Sequence, residues 1–462
     1  MPHRKLHAVV VVLGDVGRSP RMQYHAASLL EAGHHVTLVG YQGEDLVPLL
    51  KQFPLEQLTI VRFTVPSPKW INKVRPLYFL WRIISLALWL LWALIMRVPN
   101  HPPVDCVLVQ NPPALPLLFV SALFCWIQKV FYRRKRPALI IDWHNLGFSM
   151  LRIGRFRQLA KAYEKFMAPF ADGNLTVTHA MKEYLISDMN IEPSKINVVY
   201  DCAPAMFQAL DLSRQHEILM RLDQCLTSAC PKSWYASKIP EKQTLFTEEY
   251  ASKQYRPRPG RPALVVSSTS WTEDEDFGLL LDALVTLDAR IATEQSSLKV
   301  MVVVTGKGPQ KNFYQRKISE LSLSSIAIQT MWLEPSDYPR LLACADLGVS
   351  LHTSTSGLDL PMKVLDMFGC QVPVCAVNFA CLSELVDDKV NGRIFETSGQ
   401  LADVLWTLLS PLMTTSLEST PACHEFGDLA RYSKALQNRP RWSENWKCNA
   451  WPVIQEATEH LQ

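Results

Sequence analysis

Eleven cysteines are scattered along the chain without a Cys-x-x-Cys pair or a regular spacing. This excludes a disulfide scaffold and a zinc ribbon, and it points to reduced thiols in a cytosolic compartment. Strong charge of either sign is also missing. Forty-seven basic residues against 43 acidic ones leave a net charge of +4, too little to suggest nucleic acid as a partner, and no base-reading motif is present. No G-x-G-x-x-G follows the first apolar run, so the dinucleotide-binding fingerprint is absent. Met1–His7 is polar and leads straight into a strand pattern, so no signal peptide is expected. No internal repeat is visible. What remains is a chain of 462 residues, 48% hydrophobic and 19% charged, with room for two to three well-buried domains.

The apolar runs alternate with helical patterns. Ala8–Leu13 reads as a buried parallel strand, Pro20–Ala32 as a helix with Ser19 as N-cap, and His34–Val39 as the next strand. The loop between them, Gly14 to Arg21, carries Gly14, Asp15, Gly17, Arg18 and Arg21. A glycine-bearing loop that enters a helix suits an anion; a simple tight turn is the plain alternative. Further strands are expected at Cys106–Gln110, Ala138–Asp142, Gly173–Thr178 and Ile196–Val199, with His144 in the loop after Ala138–Asp142. Asn174-Leu175-Thr176 is a glycosylation sequon inside an apolar run, so it is expected to be buried and unused.

A second series begins at Ala263–Ser267. Four acids, Glu273–Asp276, open the helix Phe277–Ala289, where they favour the dipole and are expected to cap. Lys299–Thr305 is a strand ending in a glycine turn that holds Lys307. Ala327–Met331 follows, then Trp332 and Leu333. The most informative stretch is Ser350–Val377. A strand leads into a polar loop with His352, Ser356, Gly357 and Leu358, and Met362–Phe368 is a helix stopped by Gly369. Pro373–Val377 is the next strand. Ligands of open α/β sheets bind at such carboxyl-end loops. Lys363 in the first helical turn could meet a phosphate, and Asp366, one turn on, could accept two ribose hydroxyls. An ordinary exposed i,i+3 pair is the plain alternative.

The wording of this stretch resembles the donor-binding segment of GT-B glycosyltransferases. "TSTSGLDLPMKVLDMFGC", "GDVGRSPRMQYHA" and "IDWHNLGFSM" are more closely similar to the β-mannosyltransferase family that adds the first mannose in asparagine-linked glycan assembly. The pair of glutamates seven residues apart in retaining relatives is missing, and Leu358 stands at the first of those positions. The resemblance implies an α/β fold of two doubly wound Rossmann-like domains facing a cleft. It implies inverting transfer of mannose from GDP-mannose to dolichol-diphosphate-linked chitobiose, giving a β-1,4 linkage at the cytosolic face of the endoplasmic reticulum membrane. No metal or tightly bound cofactor is expected, and other mannosyltransferases of the pathway are candidate partners. Donor contacts are expected from Lys307, Trp332, Leu333, His352, Ser356, Gly357, Leu358, Lys363 and Asp366. Acceptor or diphosphate contacts are expected from Gly14, Gly17, Arg18 and Arg21. Asp15 and His144 are the two candidates for the general base: the resemblance favours Asp15, with His144 as a contact to the donor sugar, and the reverse assignment, with Asp15 as a turn-forming residue that bonds its own backbone, is the alternative. Transfer of another nucleotide sugar to a polyprenyl diphosphate, or a non-catalytic membrane scaffold, are the alternatives.

Pro76–Met96 carries Arg82 alone as a charge over about 20 residues, near the length that spans a bilayer. It could span, lie in one leaflet, or pack as a domain helix. Strands of one sheet flank it, which favours a monotopic helix with both termini cytosolic. Leu115–Phe131 is a second apolar helix, followed by the basic run Arg133–Arg136. The expected domains are 1–200 for acceptor and membrane, 201–262 as linker and variable insertion, 263–435 for the GDP-sugar, and 436–462 as a tail crossing back to the first domain.

Overall fold

The computed structural model describes residues 4–65, 75–99, 101–133, 135–151, 154–231, 234, 242–273, 275–354, 356–413 and 427–459. Arg134, Asp274 and most of 232–241 of the expected insertion lie outside the described residues. The chain divides into two units, Met1–Asp201 with Arg441–Gln462, and Cys202–Pro440.

The first unit is built on seven parallel strands: β1 (His7–Asp15), β2 (His35–Tyr41), β3 (Leu58–Phe63), β4 (Cys106–Asn111), β5 (Ala138–Trp143), β6 (Gly173–Thr176) and β7 (Ile196–Val198). Their order is β3-β2-β1-β4-β5-β6-β7. Runs such as Ala8–Val12 are buried throughout because helices cover both faces of a parallel sheet. The order reverses between β1 and β4, and the carboxyl ends beside that point are where such sheets bind ligands. The helix Arg75–Met96 lies in the connection from β3 to β4. Asn174 is buried in β6 and accepts the Trp143 indole N–H, so the sequon lies inside the sheet. The C-terminal segment packs into this unit's core through Trp446, Ala450, Val453 and Ile454.

The second unit carries a hairpin, β8 (Thr247–Ala251) and β9 (Gln254–Pro257). Its sheet comprises β10 (Ala263–Ser268), β11 (Val300–Thr305), β12 (Ile326–Met331), β13 (Leu347–Ser350), β14 (Val374–Val377) and β15 (Gly392–Phe395). The order is β12-β11-β10-β13-β14-β15, all parallel, with the reversal between β10 and β13. The stretch read as an irregular linker differs from expectation. Leu212–Thr227 is a helix capped by Asp211, whose carboxylate accepts the Arg214 N–H. It buries Ile218, Leu219 and Leu226 against this unit's core, a helical period diluted in the sequence by its polar outer face.

Candidate active site

In the first unit, Arg21 and His25 sit one turn apart on the helix Pro20–Glu31 and reach the same carboxylate, Asp142 on β5. The Arg21 fork is bidentate: Nε lies 2.8 Å from Oδ2 and a terminal nitrogen 2.9 Å from Oδ1. Its other terminal nitrogen donates to the Val199 carbonyl and to Asp201. Arg21 is 5% exposed with these partners, so the expected phosphate contact is corrected: its donors face a buried ion pair. Asp142 Oδ2 also accepts from His144 Nε2 at 2.8 Å and from His25 Nε2 at 3.1 Å. Burial alone would push the Asp142 carboxyl up, but Arg21 and His144 outweigh it and hold the group well below the usual carboxylate range. The result is a buried carboxylate, fixed by a guanidinium, that orients a partly exposed imidazole.

The loop that carries His144 is held from behind. Glu164, 1% exposed on the helix Arg155–Met167, accepts the Phe148 N–H. Burial pushes its carboxyl up to about 7. Gly147 packs closely there: an added Cβ would lie 2.6 Å from the Glu164 carboxylate, which would have to shift.

Asp15 has a different environment from the one expected of a base. Its carboxylate accepts the Gly17 N–H at 3.0 Å and the Glu44 N–H at 3.0–3.1 Å, and Arg18 Nε lies 3.6 Å away. It caps the short 3₁₀ turn Val16–Arg18 and pins the β2 loop. Gly43 and Gly17 allow this: a Cβ at Gly43 would meet the Asp15 carboxyl, and one at Gly17 would lie 2.6 Å from the Glu44 carbonyl. Gly14 closes β1 beside it. Arg18 is exposed and paired with Glu44.

In the second unit, the loops after β10 and β13 flank the point where strand order reverses, and one ion pair joins them. Glu275, 3% exposed, accepts from Lys363 Nζ, Thr269 Oγ1 and the Ser270 N–H. His352 Nδ1 is 4.0 Å from the same carboxylate. Glu275 was expected to cap a helix with its acidic neighbours; instead Asp276 caps, accepting the Gly278 N–H, and Glu275 turns inward. Asp366, on the helix Met362–Gly369, is half-buried, and burial pushes its carboxyl up to about 7. The Tyr338 hydroxyl nearby is pushed up by burial and by the Asp366 charge, and it bonds Ser268 at 2.9 Å.

Three expected donor contacts are revised. The Gly357 and Leu358 N–H groups donate to the hydroxyls of Ser354 and Ser356, so they close their own loop rather than standing free for a diphosphate. Asp359 accepts from both serines and locks that loop. Leu333 is buried in the core, which leaves Trp332, 56% exposed, as the side chain of that pair that faces outward. Lys307 stacks on the Trp332 ring, 3.9 Å from its centre. Gly306 and Gly308 let this turn pack on the β10 loop, since Cβ atoms there would overlap the Thr269 and Ser270 carbonyls.

His25, Asp142, Glu164, Glu275 and Trp446 were absent from the expected site. The i,i+4 pair Arg21/His25 and the i,i+2 pair Asp142/His144 were the available signals. Among the described residues, no group of three or more His, Cys, Asp or Glu is arranged to hold a metal ion.

Comparison with known proteins matches residues 21–203 to Glycosyltransferase Family 4 and residues 261–411 to Glycosyl transferases group 1. The chitobiosyldiphosphodolichol beta-mannosyltransferase of Mus musculus is 40% identical over 461 residues, covering 98% of this chain and 89% of the relative. The UDP-glycosyltransferase TURAN of Arabidopsis thaliana is 37% identical over 482 residues, covering 98% of both. Among solved structures, the Anabaena protein HepE in complex with UDP-glucose superposes with a TM-score of 0.61 at 15% identity, covering 99% of each chain. A glycosyltransferase from Rickettsia africae gives 0.60 at 15% identity, covering 98% and 99%. At that identity the structures speak to fold alone.

Proposed function

Because the chain belongs to the chitobiosyldiphosphodolichol β-mannosyltransferase family of GT-B glycosyltransferases, we infer that it transfers mannose from GDP-mannose to dolichol-diphosphate-linked chitobiose. The observation that carries this is the 40% identity that extends over 98% of the chain. The acceptor hydroxyl must lose a proton as it attacks, and the GDP leaving group gains charge.

GDP-mannose is α-linked and the family's product is β-linked, so the reaction is a single inverting displacement that needs a general base. We assign that base to His144. Asp142 is ionised and accepts only, so the His144 proton sits on Nε2 and leaves Nδ1 as the basic nitrogen. Asp142 then faces the positive charge that the ring acquires. Asp15, with both oxygens engaged by backbone N–H groups, serves the loop. This moves the base role from Asp15, favoured from the sequence, to His144 and leaves Asp15 as a brace of its loop.

Lys363 and the N-terminus of its helix neutralise the departing diphosphate, for which Lys363 exchanges its Glu275 partner. Asp366 accepts the ribose hydroxyls. Trp332, with Lys307 on its face, offers an exposed ring to the nucleobase.

The protein works at a membrane surface. Tyr78–Met96 is long and apolar enough to cross a bilayer. Both flanking strands, β3 and β4, belong to one sheet, however, and a full crossing would put them on opposite sides of the bilayer. The helix lies in one leaflet instead. Phe79, Leu80, Ile84 and Leu88 are exposed on it, and Phe156 of the helix Arg155–Met167 packs against Phe79 while itself exposed. Of the expected basic run, Arg133 and Lys135 are exposed, whereas Arg136 is paired with Asp172.

The name of the Arabidopsis relative supports a second donor, a UDP-sugar. Competition between GDP-mannose and UDP-sugars for one purified protein, with a chitobiosyl-diphosphate lipid as acceptor, decides between them.

A further inference from the structure

Trp446 lies in the C-terminal segment, about 300 residues after His144, at 2% exposure in the core of the first unit. Its indole Nε1 is 2.9 Å from His25 Nδ1. An indole N–H can only donate, so His25 Nδ1 must be the accepting nitrogen. The His25 proton is then on Nε2, which lies 3.1 Å from Asp142 Oδ2. Burial lowers the His25 pKa and keeps the ring neutral. In the other tautomer, a bare lone pair on Nε2 would face the Asp142 carboxylate, and two N–H groups would face each other at Nδ1. The tautomer is thus fixed by its neighbours. Asp142 Oδ2 is shared by His25, Arg21 and His144, so the line runs unbroken from the indole to the imidazole.

We propose that Trp446 is a positioning residue: by fixing the His25 tautomer it aims Asp142, and through Asp142 it sets the orientation of His144. The proposal rests on the reading of His144 as the base. It gives the C-terminal segment a part in the reaction through hydrogen bonds rather than through contact with substrate. Trp442 adds to the same seat, its indole bonded to Ser28 and its ring set edge-on to His25 with the ring centres 5.1 Å apart. Misplacing a reacting group by about 1 Å can cost on the order of 10²-fold in rate.

The test uses the full chain with ¹⁵N-labelled histidine. Trp446→Phe keeps a ring and deletes the N–H. The expected result is about a tenfold to 10²-fold fall in kcat with KM for GDP-mannose within about twofold. The His25 signal should change from a single Nε2–H tautomer to a mixture. His25→Gln can accept from the indole and donate to Asp142, so it should keep turnover that His25→Leu loses. In a His144→Ala background, Trp446→Phe should cost nothing further. Thermal melts identify any variant that fails to fold, and His25→Gln keeps the proposal testable if Trp446→Phe is such a variant. A single unchanged His25 tautomer with full kcat in Trp446→Phe overturns the proposal, as does an equal loss with and without His144. Full turnover in His144→Ala overturns the base reading instead, and the tautomer measurement then decides the hydrogen-bond line by itself.

Discussion

Asp142 Oδ2 takes the His144 imidazole at 2.8 Å and the Arg21 guanidinium at the same distance, in a place where the carboxylate has no solvent access. One oxygen therefore holds the His144 ring while its partner charge secures the fold. Removing a buried partner is costly because the other charge stays behind, typically about 3–5 kcal/mol. Asp142→Asn is expected to lose stability of that order, read from urea denaturation at neutral pH. Exposed surface pairs such as Arg18–Glu44 should change stability little by the same measurement, because solvent screens them.

The two candidate bases separate by kinetics. Removing a general base typically costs about 10²–10⁴ in rate. His144→Ala should lose turnover in that range while GDP binding in a calorimeter stays near normal. Asp15→Asn keeps an acceptor for a backbone N–H and should lose less than about tenfold. The opposite ranking would return the role to Asp15.

Asp366 predicts a pH dependence. Its folded-state pKa of about 7 lies above the ordinary carboxyl value, so the folded chain holds this proton more tightly than the unfolded one. The associated stability is fully present below the ordinary carboxyl range and is lost as pH rises toward about 7. Donor binding runs the other way, because the carboxylate is the form that accepts two hydroxyls. GDP affinity should rise between pH 6 and pH 8, and Asp366→Asn should flatten both trends. Titration calorimetry and melts across that range check the two signs.

Lys363 is predicted to act on binding. A hydrogen bond to a charged group contributes about 1.5–3 kcal/mol, so Lys363→Ala should weaken GDP binding by one to two orders of magnitude. It also leaves Glu275 buried without its cation. Melts should therefore show a loss of stability that GDP restores only in part.

The membrane face can be tested without disturbing the core. Leu80, Ile84 and Leu88 are exposed, so Gln at all three should leave the melting temperature within a few degrees. Flotation with vesicles should fall steeply in that variant. Both termini should be open to protease on sealed microsomes, and protection of either contradicts the monotopic arrangement.

Much of the two sheets was legible because a buried parallel strand is a continuous apolar run bounded by turn residues. Ala8–Leu13, Ala138–Asp142 and Lys299–Thr305 lie within two residues of the observed bounds. Elements with one wet face were harder: β3 shows the mixed pattern of Leu58–Phe63, and Arg155–Met167 and Leu212–Thr227 hide their apolar positions among charges. The site divided in the same way. Loops at carboxyl ends of strands could be placed, so His144, Lys363 and Asp366 were legible as candidates. Which polar atom pairs with which depends on contacts far apart in sequence. Arg21 meets Asp142 across 121 residues and Trp446 meets His25 across 421. Glu275 reads as one acid among four until the fold turns it toward Lys363.

The central claim is the transfer itself, and the product's linkage tests it most directly. Purified protein is incubated with chitobiosyl-diphosphate lipid and, separately, GDP-mannose, UDP-glucose or UDP-N-acetylglucosamine, and the glycan is then treated with β-mannosidase or α-mannosidase. The account predicts one added mannose from GDP-mannose that β-mannosidase alone removes. An α-linked product, or transfer from a UDP-sugar and none from GDP-mannose, contradicts it.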